Sequence, residues 1–158
     1  MWLAFATNML GNVLGRANAL EKPAYAAANE APETKTETAR AEDVPIMLAS
    51  ADASKGTKMF SKCKACHTVE NGGKNKVDPN LWDIVGRAKA SAGGFAYSGA
   101  LKKMGGEWSY GNLDAFLAKP KDFVPGTKMV FAGLKKAGHC AAMLAYLRSL
   151  SDAPKALP

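Results

Sequence analysis

Cys63-Lys64-Ala65-Cys66-His67 is the stretch that decides the fold of this 158-residue chain. Its two thiols stand three positions apart, and an imidazole directly follows the second thiol. Three kinds of site begin with such a cluster: a redox-active pair of thiols, a zinc site, and the attachment point of a covalent haem. The rest of the sequence decides which of these three kinds of site is favoured.

The first two alternatives depend on context elsewhere in the chain. A redox dithiol normally accompanies a strand–helix–strand unit, and no alternation of apolar and polar residues long enough for a sheet occurs here. A zinc site is the more serious alternative, because a Cys₃His ligand set is available in the sequence. Its members would be Cys63, Cys66, Cys140 and either His67 or His139.

The haem interpretation explains the spacing physically. Two thiols three positions apart at the end of a helix reach the two vinyl groups of one haem, and the next residue directs an imidazole at the iron. The sixth position of that iron is then open. Residues 125–129, Pro-Gly-Thr-Lys-Met, form a loop that offers a thioether to close it. We therefore predict one haem c, bound through Cys63 and Cys66, with His67 and Met129 as axial ligands.

The rest of the chain predicts an all-α domain with long loops. Apolar residues at helical spacing cover residues 55–66, 112–120 and 138–151. Asn112 is expected to cap the second helix, and Pro120 to stop it. A domain of about a hundred residues is marginally stable on its own core, so a large apolar group at its centre would help.

Composition divides the chain into four segments. Residues 1–19 are largely apolar and are expected to be an anchor or an export signal. Residues 20–52 are rich in Ala, Glu, Thr and Pro and are expected to be a disordered linker, in which prolines such as Pro45 break any helix. The haem domain is expected over residues 53–152, followed by a C-terminal tail over residues 153–158.

Positive charge is concentrated in the predicted domain. Residues 55–158 contain 17 Lys and Arg against 7 Asp and Glu, whereas residues 1–54 contain 4 against 7. A domain this basic implies an acidic partner. No nucleic-acid motif is present, and the cations are mostly lysines, which suit diffuse steering better than recognition of bases. We expect acidic docking surfaces as partners, and no nucleic acid.

Short motifs follow one another in a fixed order between Lys55 and Leu150. They are the helix with Gly56 and Phe60, the stretch Cys63-Lys64-Ala65-Cys66-His67-Thr68-Val69-Glu70, Pro79-Asn80-Leu81, Val85-Gly86-Arg87, Trp108, residues 120–129, and Leu144-Ala145-Tyr146-Leu147. This order resembles class I cytochrome c of the mitochondrial type and its bacterial relatives. The resemblance implies the class I cytochrome c fold, with long loops around one covalent haem, and an electron carrier rather than an enzyme.

The resemblance also implies roles for residues around the haem. The carbonyl of Pro79 is expected to accept the Nδ1 proton of His67 and to fix its tautomer. Three side chains are expected to donate toward a buried haem propionate, namely Arg87, Tyr97 and Trp108. Leu81 is expected to lie against the haem face, and Phe131 at its edge.

Three further expectations concern packing. Gly56 is expected to let the first and last helices cross closely near Leu144 and Tyr146. Phe116 departs from the family, which commonly has at this position a tyrosine whose hydroxyl reaches the methionine sulfur. Residues 139–140, a histidine and the third cysteine, have no role in the haem pattern and are expected to be an exposed side chain and a small packing residue.

The implied function is transfer of single electrons from cytochrome bc1 to a terminal oxidase by a monomeric carrier. Lysines around the exposed haem edge are expected to steer docking: Lys64, Lys74, Lys76, Lys119, Lys121, Lys128, Lys135 and Lys136. The alternatives are an enzyme or sensor in which a small molecule displaces Met129, and a structural zinc module. We expect the carrier to be tethered on the periplasmic side of the bacterial inner membrane. The alternative is a soluble periplasmic protein after signal cleavage.

Overall fold

The computed structural model of the chain describes residues 43–158. The helices are α1 (residues 43–49), α2 (Ala53–Met59), α3 (Gly99–Met104), α4 (Tyr110–Ala118), α5 (Pro120–Phe123) and α6 (Ala137–Ser149), and a 3₁₀ turn, Phe60–Lys62, continues α2. Within this part of the chain, β pairing is limited to an isolated bridge between Ala88 and Glu107. The prediction of an all-α fold with long loops is confirmed.

The crossing of α2 and α6 is the most extensive contact between helices in the described part of the chain. Gly56 is buried in α2 and faces the backbone of Ala142 in α6. The rings of Phe60 and Tyr146 pack beside this contact with their centroids 5.3 Å apart. The predicted close approach at Gly56 near Tyr146 is therefore confirmed, and it places the end of α2 and the cysteines that follow it against the core.

Helix α4 begins earlier than predicted. Its N-cap is Ser109, whose hydroxyl oxygen accepts a hydrogen bond from the backbone N–H of Asn112 at 3.2 Å. The prediction that Asn112 caps this helix is wrong, because Ser109 is itself a preferred capping residue and stands three positions upstream. The side chain of Asn112 donates instead to the carbonyl of Glu107. The helix ends at Ala118 as expected, before Pro120, which begins the short helix α5.

The prediction of a disordered linker up to residue 52 is wrong for its last part. Residues 43–49 are helical, and Val44 and Leu48 are 6% and 3% exposed within the hydrophobic core. The two side chains share one helix face because they are four residues apart. The predictions for residues 1–19 and 20–42 concern residues outside the described part.

None of the helices in residues 43–158 combines the length and the apolar character needed to cross a membrane.

Candidate functional site

The helices and loops surround a central cavity, the kind of concave and mostly apolar space in which small molecules and cofactors bind. Cys63, His67 and Met129 all line this cavity, and Cys66 lies one turn beyond Cys63 without lining it. Most of the wall is apolar, with side chains from α4, α6 and the loop before α3. The structure thus brings three of the four predicted site residues to one enclosed space.

A series of tight turns positions the two thiols and the imidazole. The N–H of Cys63 donates to the carbonyl of Phe60 at 2.7 Å, and the N–H groups of Cys66 and His67 both donate to the carbonyl of Cys63 at 3.0 Å. The thiols of Cys63 and Cys66 are half-buried and form no disulfide. Burial, together with the neighbouring Cys66, raises the pKa of the Cys63 thiol. A redox dithiol has a lowered thiol pKa, and the raised pKa of Cys63 does not favour that alternative.

The orientation and hydrogen bonding of His67 make its Nε2 atom available as a metal ligand. Its Nδ1 atom lies 2.7 Å from the carbonyl oxygen of Pro79, as predicted. That carbonyl can only accept, so Nδ1 carries the proton and Nε2 keeps its lone pair. Burial lowers the pKa of the imidazole, against the opposing influence of the Pro79 hydrogen bond. The lowered pKa favours the neutral ring, which is the form that binds a metal.

Met129 is held by a loop that is fixed at both ends. At its start, the N–H of Thr127 donates to the carbonyl of Val124 at 2.9 Å, and Gly126 has a φ of 88° that favours glycine. At its end, the N–H of Leu134 donates to the carbonyl of Leu117 at 2.8 Å. This loop places the side chain of Met129, half-buried, at the wall of the cavity.

Arg87 supplies an independent indication of what the cavity holds. Its two terminal nitrogens donate to the carbonyls of Trp82 and Asn80 at 3.0 and 2.9 Å, but its buried Nε has no partner among the described residues. Burial lowers the pKa of this guanidinium. A buried cation with an unused donor calls for an anionic partner. A haem propionate is such an anion, so the cavity fits a covalently attached haem.

Other cavity residues agree with most of the expected haem contacts. Tyr97, Trp108 and Leu81 line the cavity, whereas Phe131 is partly buried against the core and does not line it. Phe116 also lines the cavity, and its ring packs 5.0 Å from that of Trp108. As Phe116 has no hydroxyl, it cannot donate to the sulfur of Met129.

Asp78 lines the same cavity, and the sequence analysis did not anticipate it. One carboxylate oxygen, Oδ2, lies 3.9 Å from Nε2 of His67, and the side chain is only 14% exposed. A signal for this residue was present in the sequence, because Asp78 immediately precedes Pro79, whose carbonyl orients the histidine. An acidic residue beside that position is brought close to the imidazole by the same turn.

The zinc alternative finds no support in the packing of Cys140. This residue is fully buried in α6, and its Sγ donates to the carbonyl of Leu134 at 3.3 Å. Across residues 43–158, no three His, Cys, Asp or Glu side chains come together as a metal-binding group. His139 is exposed at the start of α6. As expected, Cys140 is a packing residue and His139 is exposed at the surface.

The chain is similar in sequence and structure to known proteins. Residues 53–151 match the family model described as Cytochrome c. A "Cytochrome c homolog" of Bradyrhizobium diazoefficiens is 40% identical over 162 residues, which cover 99% of this chain and 88% of that protein. A "Cytochrome c" of Theileria parva is 48% identical over 108 residues, covering 68% of this chain and 93% of that protein. The solved structure of cytochrome cH from Methylobacterium extorquens is 45% identical with a TM-score of 0.59, covering 63% of this chain and 99% of its own.

Proposed function

The chain belongs to the cytochrome c family, and from that membership we propose that it carries electrons from a quinol-oxidising complex such as cytochrome bc1 to a terminal oxidase. The coarser role follows from the family itself: the protein is a mono-haem electron carrier and not an enzyme. Covalently bound haem c supplies a one-electron couple at its iron.

We assign haem attachment to Cys63 and Cys66 and axial ligation to His67 and Met129. The observation that carries this assignment is that His67 and Met129 line one largely apolar cavity, into which His67 offers a neutral Nε2. With an imidazole and a thioether on the iron, no coordination position remains for a substrate. The chemistry that remains is electron transfer, in which the protein fixes the ligands and limits the access of water.

An enzyme or sensor in which a small molecule displaces Met129 is the second candidate. Phe116 favours it to a limited degree, because this side chain offers no hydrogen bond to the methionine sulfur. Carbon monoxide added to the reduced protein distinguishes the two candidates. A carrier with an intact iron–sulfur bond shows little spectral change, whereas a sensor shows the bands of a carbon monoxide complex.

Docking is assigned to the exposed lysines that the sequence analysis named. All eight are exposed, and Lys128 also lines the cavity, where its Nζ donates to the carbonyl of Ala96 at 2.8 Å. Positive charge near the cavity would speed the encounter with an acidic surface and leave the complex short-lived, as a shuttle requires. The carrier is proposed to act as a monomer.

The rate of electron transfer to a purified terminal oxidase, measured over a range of salt concentrations, tests this assignment. We expect the rate to fall as salt rises, because charges on exposed lysines are screened over roughly 8 to 10 Å at ordinary ionic strength. Lys128→Gln should reduce the salt dependence more than Lys58→Gln, which removes the same charge from an exposed lysine of α2 outside the cavity wall. A rate that does not change with salt would contradict the docking proposal.

We also propose that the N-terminal segment tethers the carrier to the periplasmic side of the inner membrane. Haem attachment to Cys63 and Cys66 takes place on an exported chain, and the apolar residues 1–19 suit both export and anchoring. The relative from Bradyrhizobium diazoefficiens aligns over 99% of this chain, whereas the Theileria parva protein aligns over 68%. The N-terminal segment is therefore an addition to the haem domain that some relatives share.

A further inference from the structure

We propose that Asp78 lowers the reduction potential of the haem by holding a negative charge beside the ligand nitrogen of His67. This inference rests on the proposed ligation of haem iron by His67 and goes beyond it, since it assigns a tuning role to a residue outside the ligand set.

The carboxylate of Asp78 is held close to the imidazole by its backbone. The N–H of Asp78 donates to the carbonyl of Cys66, and the carbonyl of Asp78 accepts from the N–H of Lys76, both at 3.0 Å. The first bond ties the segment before Pro79 to the turn that carries the cysteines, and the second closes a turn within that segment. The result is the 3.9 Å separation between Oδ2 of Asp78 and Nε2 of His67, in a side chain that is 14% exposed.

Within residues 43–158, no ion pair with a lysine or arginine neutralises the charge of Asp78. Among the described residues, no lysine or arginine forms an ion pair with this carboxylate, and no N–H or O–H group donates a hydrogen bond to it. The two cations at the cavity wall hydrogen-bond to backbone carbonyls and not to Asp78: Arg87 donates to the carbonyls of Asn80 and Trp82, and Lys128 to that of Ala96. His67 itself contributes no cation once its Nε2 binds iron, because the ligand is the neutral imidazole.

A negative charge beside the ligand nitrogen changes the energies of the oxidised and the reduced haem by different amounts. Oxidation adds one positive charge at the haem iron, and a nearby negative charge stabilises the oxidised state more than the reduced one. In a cavity with few polar groups this attraction is screened less than it would be in water. The equilibrium therefore shifts toward the oxidised protein, which is a lower reduction potential.

Potentiometry of the haem-loaded protein, at one pH and one ionic strength, tests the proposal with Asp78→Asn. We expect the amide variant to favour the reduced state by about tenfold, which for a one-electron couple is about 59 mV. Asp83→Asn is the matched control, because it removes the same charge from an exposed carboxylate that accepts a hydrogen bond from Ser151. This control should shift the potential much less. Asp78→Ser serves as a second neutral variant if the amide impairs folding.

Asp78→Glu separates charge from packing. It keeps the negative charge and should stay near the potential of the unaltered protein, while visible spectra confirm that ligation is intact in every variant. The proposal is overturned if Asp78→Asn shifts no more than Asp83→Asn, or if the Asn and Glu variants shift alike. Either result leaves the carrier function standing. Failure of the unaltered protein to reduce an oxidase would instead count against the proposed function, whatever the potentials are.

Discussion

A Cβ atom placed on Gly56 would lie 2.6 Å from the Cβ atom of Tyr146, and it would also collide with the carbonyl of Ala142. Both obstacles are parts of α6 that cannot rotate away, because one is backbone and the other is the first atom of a side chain. The absence of a side chain at residue 56 is therefore what permits the crossing of α2 and α6. This crossing holds the end of α2, and with it the haem-attachment motif, against the core.

Gly56→Ala is expected to destabilise the haem-loaded protein by about 1 to 3 kcal/mol, the usual cost of overpacking a core. Chemical denaturation followed by circular dichroism measures this free energy of unfolding. Gly138→Ala is the matched control in α6, since a Cβ there meets nothing within 4 Å. The control should be neutral or stabilising by up to about 1 kcal/mol, because alanine favours a helix more than glycine does. Equal effects from the two substitutions would show that the crossing tolerates a methyl group.

The second prediction concerns whether α1 belongs to the folded domain. Leu48→Ala should cost about 2 to 5 kcal/mol of unfolding free energy, because Leu48 is 3% exposed in the core. Ile46→Ala, in the same helix but 75% exposed, should change stability by less than about 0.5 kcal/mol. Chemical denaturation curves of both variants measure these changes in the free energy of unfolding. If Leu48→Ala were as mild as Ile46→Ala, residues 43–49 would contribute nothing to stability and would behave as part of the linker.

The misplaced linker boundary shows where sequence patterns are informative about this fold. Gly56 and the spacing of Met143, Leu144 and Leu147 predicted the α2–α6 pair, because helices that pack on each other leave both a small residue and an apolar repeat. Helix α1 left only two buried apolar residues in a segment rich in alanine and broken by proline. Whether α1 is buried depends on the part of the domain against which it packs. The sequence of residues 43–49 alone does not show that surface.

The residues of the site also differ in how readily the sequence predicts them. Cys63, Cys66 and His67 are recognisable because the attachment chemistry fixes their spacing, and Met129 because its loop has a characteristic composition. Asp78 was missed because an acidic residue in a loop is ordinarily exposed to solvent. The turn that joins Asp78 to Cys66 brings this carboxylate close to the histidine.

The third prediction tests the assignment of Met129 as an axial ligand. Met129→Leu should leave the haem covalently attached, lower the reduction potential and abolish the near-infrared charge-transfer absorption of the oxidised protein, because a thioether ligand raises the potential of haem iron. The variant should also bind added imidazole or cyanide more readily. Retention of the near-infrared absorption would show that another group ligates the iron.

Met143→Leu is the matched control for this experiment. Met143 also lines the cavity and is 2% exposed, and the same substitution there exchanges one apolar side chain for another of similar volume. We expect the near-infrared absorption and the potential to remain close to those of the unaltered protein. Loss of the absorption in both variants would point to general disturbance of the cavity rather than to loss of a ligand.

The last prediction is that the native carrier stays with the membrane and keeps its N-terminal residues. Because α1 packs in the core, the predicted linker shortens to residues 20–42. As a flexible chain, a linker of this length would span about 26 Å on average and roughly 80 Å when stretched. That reach suffices for a haem domain to move between neighbouring membrane complexes.

Fractionation of native cells, with mass spectrometry of the mature N-terminus, tests this tether. We expect the haem protein in the membrane fraction, with residues 1–19 retained, and released into the periplasm when those residues are replaced by a cleavable export signal. In the replaced form, electron transfer to membrane-bound oxidase should fall and should recover as the carrier concentration is raised, because the tether acts by raising the local concentration. A native protein that is soluble in the periplasm and begins at Leu20 would refute the tether and leave the electron-carrier role unaffected.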